Sequence, residues 1–258
     1  MDVKIRNLRV LVTAGASGIG LATARAFVNE GARVHVCDLD RAAVDKLASS
    51  DPGLTRSICD VADPASVAQL FATVAAELGG LDALVNNAGV AGPTAPCVDV
   101  ALAEWERTLA VNLTGQFLCA QQAIPLLMTS GNPSITNLSS AAGRFGFPNR
   151  TPYAASKWGV IGFTKSLSIE LGAFGIRVNA ICPGGVAGPR IDHVIERKAA
   201  LRDVAADVVR DEMLAKTSLH RLVTAEDVAN AIVFLASPLG ANISGHALPV
   251  DADTHALV

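Results

Sequence analysis

From Arg9 to Asn137, short runs of apolar and mostly β-branched residues alternate with longer Ala- and Leu-rich stretches. No other feature limits the fold as much. A strand that is apolar at successive positions must be covered on both faces, and helices between such strands supply the cover. Strands are predicted at Arg9–Thr13, 33–37, 55–59, Ala83–Asn86 and 134–137. Helices are predicted at 19–30 with Gly31 as its stop, at 41–49, and at Pro64–Leu78 behind an Asp63 N-cap. Further on, 105–128 is broadly helical with Pro125 near its end, 153–171 is a long helix, and 177–181 is a strand. Residues 224–235 form a helix opened by a capping-box-like TAED, and 246–250 form the last strand. No repeat or low-complexity linker divides the chain. The expected fold is α/β: a single domain over residues 1–258, with a doubly wound parallel sheet of about seven strands and helices on both faces.

Composition narrows the function classes. The net charge is -3, from 21 basic and 24 acidic residues that are well mixed, so no basic stripe points to nucleic acid or a membrane surface. No apolar run reaches the roughly 18 residues of a membrane span. The N-terminal MDVKIRNLRV lacks the apolar core and cleavage site of a secretory signal. The five cysteines show no CxxC spacing and the five histidines no HExxH pair. Neither a disulfide framework nor a metal site is expected, and a reducing, cytoplasmic setting is the natural reading.

The first strand runs into TAGASGIG at 13–20 and then a helix. Glycines let the chain turn tightly and let backbone approach a ligand, while the helix N-terminus offers free N–H groups to a phosphate. That placement, between strand one and helix one, is the Rossmann-type dinucleotide arrangement. Eighteen residues after Gly20, Asp38 closes the second strand. A carboxylate there can accept hydrogen bonds from the adenosine ribose, and it repels the additional phosphate of NADP. No Lys or Arg follows before Arg41, and Ala16 and Ser17 are uncharged, so NAD is expected.

The turn and the motifs after it resemble the short-chain dehydrogenase/reductase family, over nearly the whole chain. The motifs are CDV at 59–61, NNAG at 86–89, VNLTG at 111–115, NLSS at 137–140, YAASK at 153–157, RVNAICPG at 177–184 and ISGHALPVD at 243–251. The resemblance implies a catalytic set of Asn112, Ser140, Tyr153 and Lys157, with Ser139 a structural neighbour. It implies cofactor contacts from Gly15, Ser17, Gly18, Ile19, Gly20, Asp38 and Leu39. Asp60 and Val61 would contact the adenine; Asn87, Ala88 and Gly89 would floor the cleft; Pro183, Gly184 and Val186 would lie against the nicotinamide. It also implies a homotetramer, and the apolar residues Val160, Ile161, Phe163, Leu167 and Ile169 suit a helix paired between subunits. The chain departs from the pattern in three places. Ala14 stands where the family has Gly, Gly188 where it often has Thr, and VDAD at 250–253 where it has VDGG. A Cβ at Ala14 costs little at negative φ and more at positive φ, and Gly15 is available to absorb the turn.

The residue types fit alcohol oxidation. A tyrosine accepts the hydroxyl proton only as phenolate, and its ordinary pKa is about 10. Lys157, four residues on, faces the same side of the helix and favours the phenolate. Ser140, thirteen residues before Tyr153, can hold the substrate oxygen. Asn112 would hold a water between Lys157 and solvent. Tyr153 is the only tyrosine in the chain. The expected activity is NAD(H)-dependent interconversion of a secondary alcohol and a ketone, on a polar small molecule such as a sugar, polyol or hydroxy acid. The alternatives are an NADPH-type 3-oxoacyl thioester reductase and a catalytically silent nucleotide-binding regulator.

The substrate pocket is expected from 141–149, 185–190 and a charged segment at 191–216. Phe145, Phe147 and Trp158 offer apolar walls, with Trp158 alternatively in the core. Arg190 suits either an anionic group of the substrate or a surface ion pair with Asp192 or Glu196, the second being the simpler reading. Segment 191–216 combines Ile195, Leu201, Val204, Val208 and Met213 with many charges. It is expected to be a mobile lid.

Overall fold

The pleat of the first strand places Val10 and Val12 on one side of the sheet and Leu11 on the other, all fully buried. Both sides therefore need a helical cover. The computed structural model describes residues 3–258. In chain order it contains β1 (Arg9–Thr13), α1 (Gly18–Asn29), β2 (Arg33–Asp38), α2 (Arg41–Ser50), β3 (Leu54–Ile58), α3 (Pro64–Leu78) and β4 (Ala83–Asn86). The second part contains α4 (Leu102–Leu109), α5 (Gly115–Leu127), β5 (Ser134–Leu138), α6 (Thr151–Leu171), β6 (Arg177–Pro183), α7 (Pro189–Arg202), α8 (Ala206–Ala215), α9 (Ala225–Ala236) and β7 (Ala247–Val250).

Among the described residues the seven strands form one parallel sheet in the order β3-β2-β1-β4-β5-β6-β7. Val10, Val12, Val34 and Val36 pack with Phe27 of α1, Leu47 of α2 and Ile232 of α9. On the other face Leu11, Leu84, Ile135 and Val178 pack with Leu70 of α3, Ala120 of α5 and Leu167 of α6. Each fully buried Val, Leu, Ile or Phe contributes about 1.5–3 kcal/mol. The strand order reverses direction between β1 and β4, and ligands of such sheets sit outside the strand carboxyl ends at that point.

Most expected elements lie within two residues of their observed bounds. Thr224 caps α9 in a full capping box with Asp227, and Asp63 caps α3. Two stretches differ. The helix expected over 105–128 is divided by a π-helical turn at Ala110–Thr114. The unframed segment 191–216 is a helical pair: Pro189 opens α7, and Asp203, at φ 51, ends it before α8. Among the described residues no helix is long and apolar enough to cross a membrane.

Candidate active site

The glycine-rich turn leaves β1 with Ala14 at φ 49, so Ala14 itself takes the left-handed turn, and Gly15 does not absorb it. That conformation costs a residue bearing a Cβ roughly 1–2 kcal/mol. Gly15 is needed for another reason: a Cβ on it would lie 2.6 Å from Val36 Cβ. At Gly20 a Cβ would overlap the Ala14 carbonyl and meet Asn87 Nδ2 at 2.6 Å. Ser17 and Gly18 stand exposed at the N-terminus of α1, with Gly18 at φ 51 and Ile19 half-buried behind them. The cradle is thus open where phosphate would sit, which fits a dinucleotide.

Asp38 lies at the end of β2, accepting from Ala16 N at 3.2 Å and Asp40 N at 3.1 Å, with Leu39 exposed beside it. Asp60 accepts from Ala62 N at 2.9 Å, and Val61 is buried against Gly115. From β4, Asn87 Nδ2 donates to Thr13 O at 2.9 Å and Ala14 O at 3.0 Å. Thr13 Oγ1 accepts from Asn87 N at 3.0 Å and Ala88 N at 2.9 Å. No motif assigns Thr13 a role, although a hydroxyl closing an apolar strand is a visible signal in the sequence. It locks the glycine turn to the 87–89 segment.

Asn112 occupies the π-helical turn, fully buried. Its Oδ1 accepts from Val90 N at 2.7 Å, while Nδ2 donates to Val90 O at 3.0 Å and Ser156 Oγ at 3.1 Å. The extra backbone residue aims this amide between the Gly89–Val90 strand end and α6. A Cβ on Gly89 would lie 3.1 Å from Asn112 Oδ1 and 3.5 Å from Lys157 Nζ, so these three groups meet.

Ser140 follows β5, and its Oγ accepts from Ala142 N at 3.1 Å. Ser139 is the structural neighbour, donating to Lys157 O at 2.8 Å. Tyr153 and Lys157 share one side of α6, with the ammonium 5.6 Å from the ring centroid. Burial works against the Tyr153 phenolate. Lys157, Arg190, a hydrogen bond with Ser140 and Arg150 outweigh it and hold the pKa below the usual tyrosine value. Burial likewise lowers the pKa of Lys157, whose Nζ donates to Leu138 O at 2.7 Å, against an opposing pull from Tyr153.

Pro183 ends β6 and is buried. A Cβ on Gly184 would lie 2.8 Å from Asp251 Cα, so the tail after β7 packs directly on this turn. Val186 pairs with Val223. Gly188 has φ 138, a backbone that threonine adopts only with strain. In the VDAD tail Ala252 and Asp253 both take positive φ, 55 and 56, and fill the conformations that glycines take freely. The tail stays anchored through Asp251, which pairs with Arg144 at 2.8 Å.

One expectation about the pocket fails, and one alternative is ruled out. Asp192 pairs with Arg210 at 2.7 Å, and Arg190 instead donates to Gly89 O at 3.0 Å, because the start of α7 folds back over the cleft. Trp158 is 52 % exposed and lies outside the core. Two groups were missed altogether. Arg150, 2 % exposed, stands three residues before Tyr153 with its guanidinium 5.2 Å from the tyrosine ring. Lys198, 4 % exposed, lies 4.1 Å from the Phe147 ring centroid and donates to a Val258 main-chain oxygen. Nothing in sequence spacing marks Lys198, since α7 packs onto Phe147 only in the folded chain.

This geometry has counterparts among known proteins. A family described as enoyl-(acyl carrier protein) reductase matches residues 13–255. Cis-4-hydroxycyclohexanecarboxylate dehydrogenase of Sinomonas cyclohexanicum is 39% identical over 244 residues, 93% of this chain and 94% of that protein. D-threitol dehydrogenase of Mycolicibacterium smegmatis is 38% identical over 255 residues, 97% and 94% of the two chains. The crystal structure of an NAD+-bound xylitol dehydrogenase superposes with a TM-score of 0.92 at 29% identity, covering 96% of this chain and 98% of that one. A match of this length, over a glycine-rich turn and a Ser140–Tyr153–Lys157 site at the sheet's carboxyl edge, leads to one assignment: the chain belongs to the short-chain dehydrogenase/reductase family.

Proposed function

We propose that the protein is an NAD(H)-dependent dehydrogenase that interconverts a secondary alcohol and its ketone, on a polar small molecule such as a polyol, sugar or hydroxy acid. The observation that carries this reading is the meeting of Ser140, Tyr153 and Lys157 beside the strand-order reversal. Relatives named for hydroxy-acid and polyol substrates support the substrate class.

When bound, nicotinamide supplies the hydride acceptor or donor. Ser140 Oγ holds the substrate oxygen, and Tyr153 Oη takes its proton as phenolate. Lys157 keeps that phenolate available and would hold the nicotinamide ribose, and Asn112 would position a water that returns the proton to solvent. Asp38 favours NAD: its carboxylate stands at the end of β2, with Leu39 exposed and no cation before Arg41. The other cofactor contacts are those carried by the family motifs: Gly15 to Gly20, Asp60 and Val61, Asn87 to Gly89, and Pro183, Gly184 and Val186.

Helices α7 and α8 serve as the lid. Ile195, Ala199 and Val209 form a small cluster of their own, while Leu201, Val204 and Val208 stay exposed. A homotetramer is part of the same reading. Ile169 is 83 % exposed on α6, and Phe117 and Phe163 meet edge to face at 6.5 Å, leaving an apolar face beyond what the sheet needs. The unpaired state of the five cysteines suits a reducing cytoplasm. A panel of secondary alcohols with NAD+, followed at the NADH absorbance, tests the reading. NADH formation with at least one polar alcohol is expected, and its absence across the panel overturns the dehydrogenase assignment.

A further inference from the structure

The substrate side of the site carries more cations than acids. Arg150 is nine-tenths buried and more. Its Nη2 donates to Ala91 O at 2.7 Å and its Nη1 to Thr94 Oγ1 at 3.4 Å, both neutral acceptors, and its Nε has no partner. Phe147 lies between two cations, with the Arg150 guanidinium at 5.4 Å and the Lys198 ammonium at 4.1 Å from its centroid. Arg190 reaches over from α7 to Gly89 O, which places it against the Asn112–Lys157 corner.

A cleft opens beside these groups, between the 90–94 loop, α4 and α7. It is lined by Arg107, Arg150 and Arg197, with Glu104 as its one acid among the described residues. Asp192 is engaged with Arg210 and Asp251 with Arg144, and Glu196 stands exposed beside His193. Burying a guanidinium without a carboxylate is costly, and here the charges also repel one another. Burial and the Arg150 charge lower the Lys198 pKa to about 8, and burial lowers that of Arg150 against the pull of Tyr153, with Arg190 adding repulsion. A carboxylate joining this group would offset its excess of positive charge. Arg150 and Lys198 lie on the Phe147 and Thr94 side of Tyr153.

We infer that the substrate is a hydroxy acid whose carboxylate enters this cationic ring, with Arg190 as the mobile partner and Arg150 as the fixed one. The inference rests on the dehydrogenase reading and specifies its substrate class. Arg190 suits the mobile role because it is exposed and has a single hydrogen bond to give up. Its planar fork matches a carboxylate in two-point contact.

The test uses matched pairs of secondary alcohols, each hydroxy acid beside its primary amide, with NAD+ and the intact protein. 3-Hydroxybutyrate and 4-hydroxycyclohexanecarboxylate, each with its amide, are suitable probes. Wild type is expected to favour the acid by at least about tenfold in kcat/KM, chiefly through KM, the worth of one charge-assisted hydrogen bond. Arg190→Gln is expected to bring the acid-to-amide ratio close to one, and Arg190→Lys to restore part of it. NAD+ affinity, measured by calorimetry on each variant, is expected to stay within a few-fold of wild type. Oxidation of acids and amides with equal efficiency would overturn the carboxylate site while leaving the dehydrogenase reading in place. An acid preference that survives in Arg190→Gln, or a loss confined to NAD+ affinity, would overturn the role given to Arg190. Failure of every acid and amide with NAD+ would overturn the dehydrogenase reading first, and this inference with it.

Discussion

Around the glycine-rich turn, polar groups answer one another: Thr13 with Asn87 and Ala88, Asn87 with Ala14, Asp38 with Ala16. Across the cleft, beside the 90–94 loop and α7, Arg150 and Arg190 face only neutral acceptors, and apolar Leu201, Val204 and Val208 stay exposed. The first region is complete before anything binds, as a site for an invariant ligand part should be, because a preformed cradle lowers the entropic cost of binding. The second holds cations whose hydrogen bonds go to neutral groups. That is where the difference between one substrate and another has to be read.

Replacement of Tyr153 by Phe is the sharpest way to probe the line between the regions. The ring and its contact with Arg150 remain, and only the titrating oxygen goes. Turnover should fall by roughly 10²–10⁴-fold with NADH affinity and fold nearly intact. A variant with more than about a tenth of wild-type rate would remove Tyr153 from the role of base.

A pH prediction tests how sealed the first region is. His35 is fully buried in β2 between Thr55 Oγ1 and Ser57 Oγ, both at 2.8 Å, and burial lowers its pKa from 6.5 to about 4. The unfolded chain therefore binds the extra proton between those values, and the folded chain does not. Stability is full above pH 6.5 and is lost as pH falls towards 4, by up to about 3 kcal/mol from this group. Thermal melts of wild type and His35→Gln across that window should show a steeper acid loss in wild type. Parallel curves would mean that His35 is hydrated.

Cofactor choice belongs to the same region. The double change Asp38→Ala with Leu39→Arg removes the repulsion of a 2′-phosphate and adds a partner for it. The ratio of efficiencies with NAD+ and NADP+ should move by at least about tenfold towards NADP+. A ratio that stays put would mean that Asp38 serves the turn alone, through Ala16 and Asp40.

The contrast in completeness also predicts a contrast in motion. Backbone amides of α7 and α8 should exchange hydrogen faster than those of α6 in the free protein, and should slow several-fold with NAD+ and a substrate analogue. Equal protection in both states would make α7 and α8 fixed scaffold. The smallest effect concerns the cradle itself. Ala14→Gly relieves a left-handed Cβ but frees the unfolded chain, so a gain of at most about 1 kcal/mol, a few degrees in Tm, is expected. A loss would show that the alanine methyl packs usefully.

The sequence by itself determined the parallel sheet, because apolar runs such as RVLVT can exist only between two covering layers. It also determined the helix starts, where Asp63 and Thr224 cap through contacts two or three residues away. It placed Tyr153 and Lys157 on one face, since a spacing of four is local helix geometry. Tertiary structure alone decided which cations meet. Arg190 and Gly89 are 101 positions apart, and Lys198 reaches Phe147 only when α7 lies across the cleft. It also decided that Asp192 goes to Arg210 while Arg190 goes to Gly89 O, and that Ala14 rather than Gly15 bears the turn. Local rules act over three or four residues, whereas partner choice among distant charges depends on how whole elements pack, and that is written in no single stretch of chain.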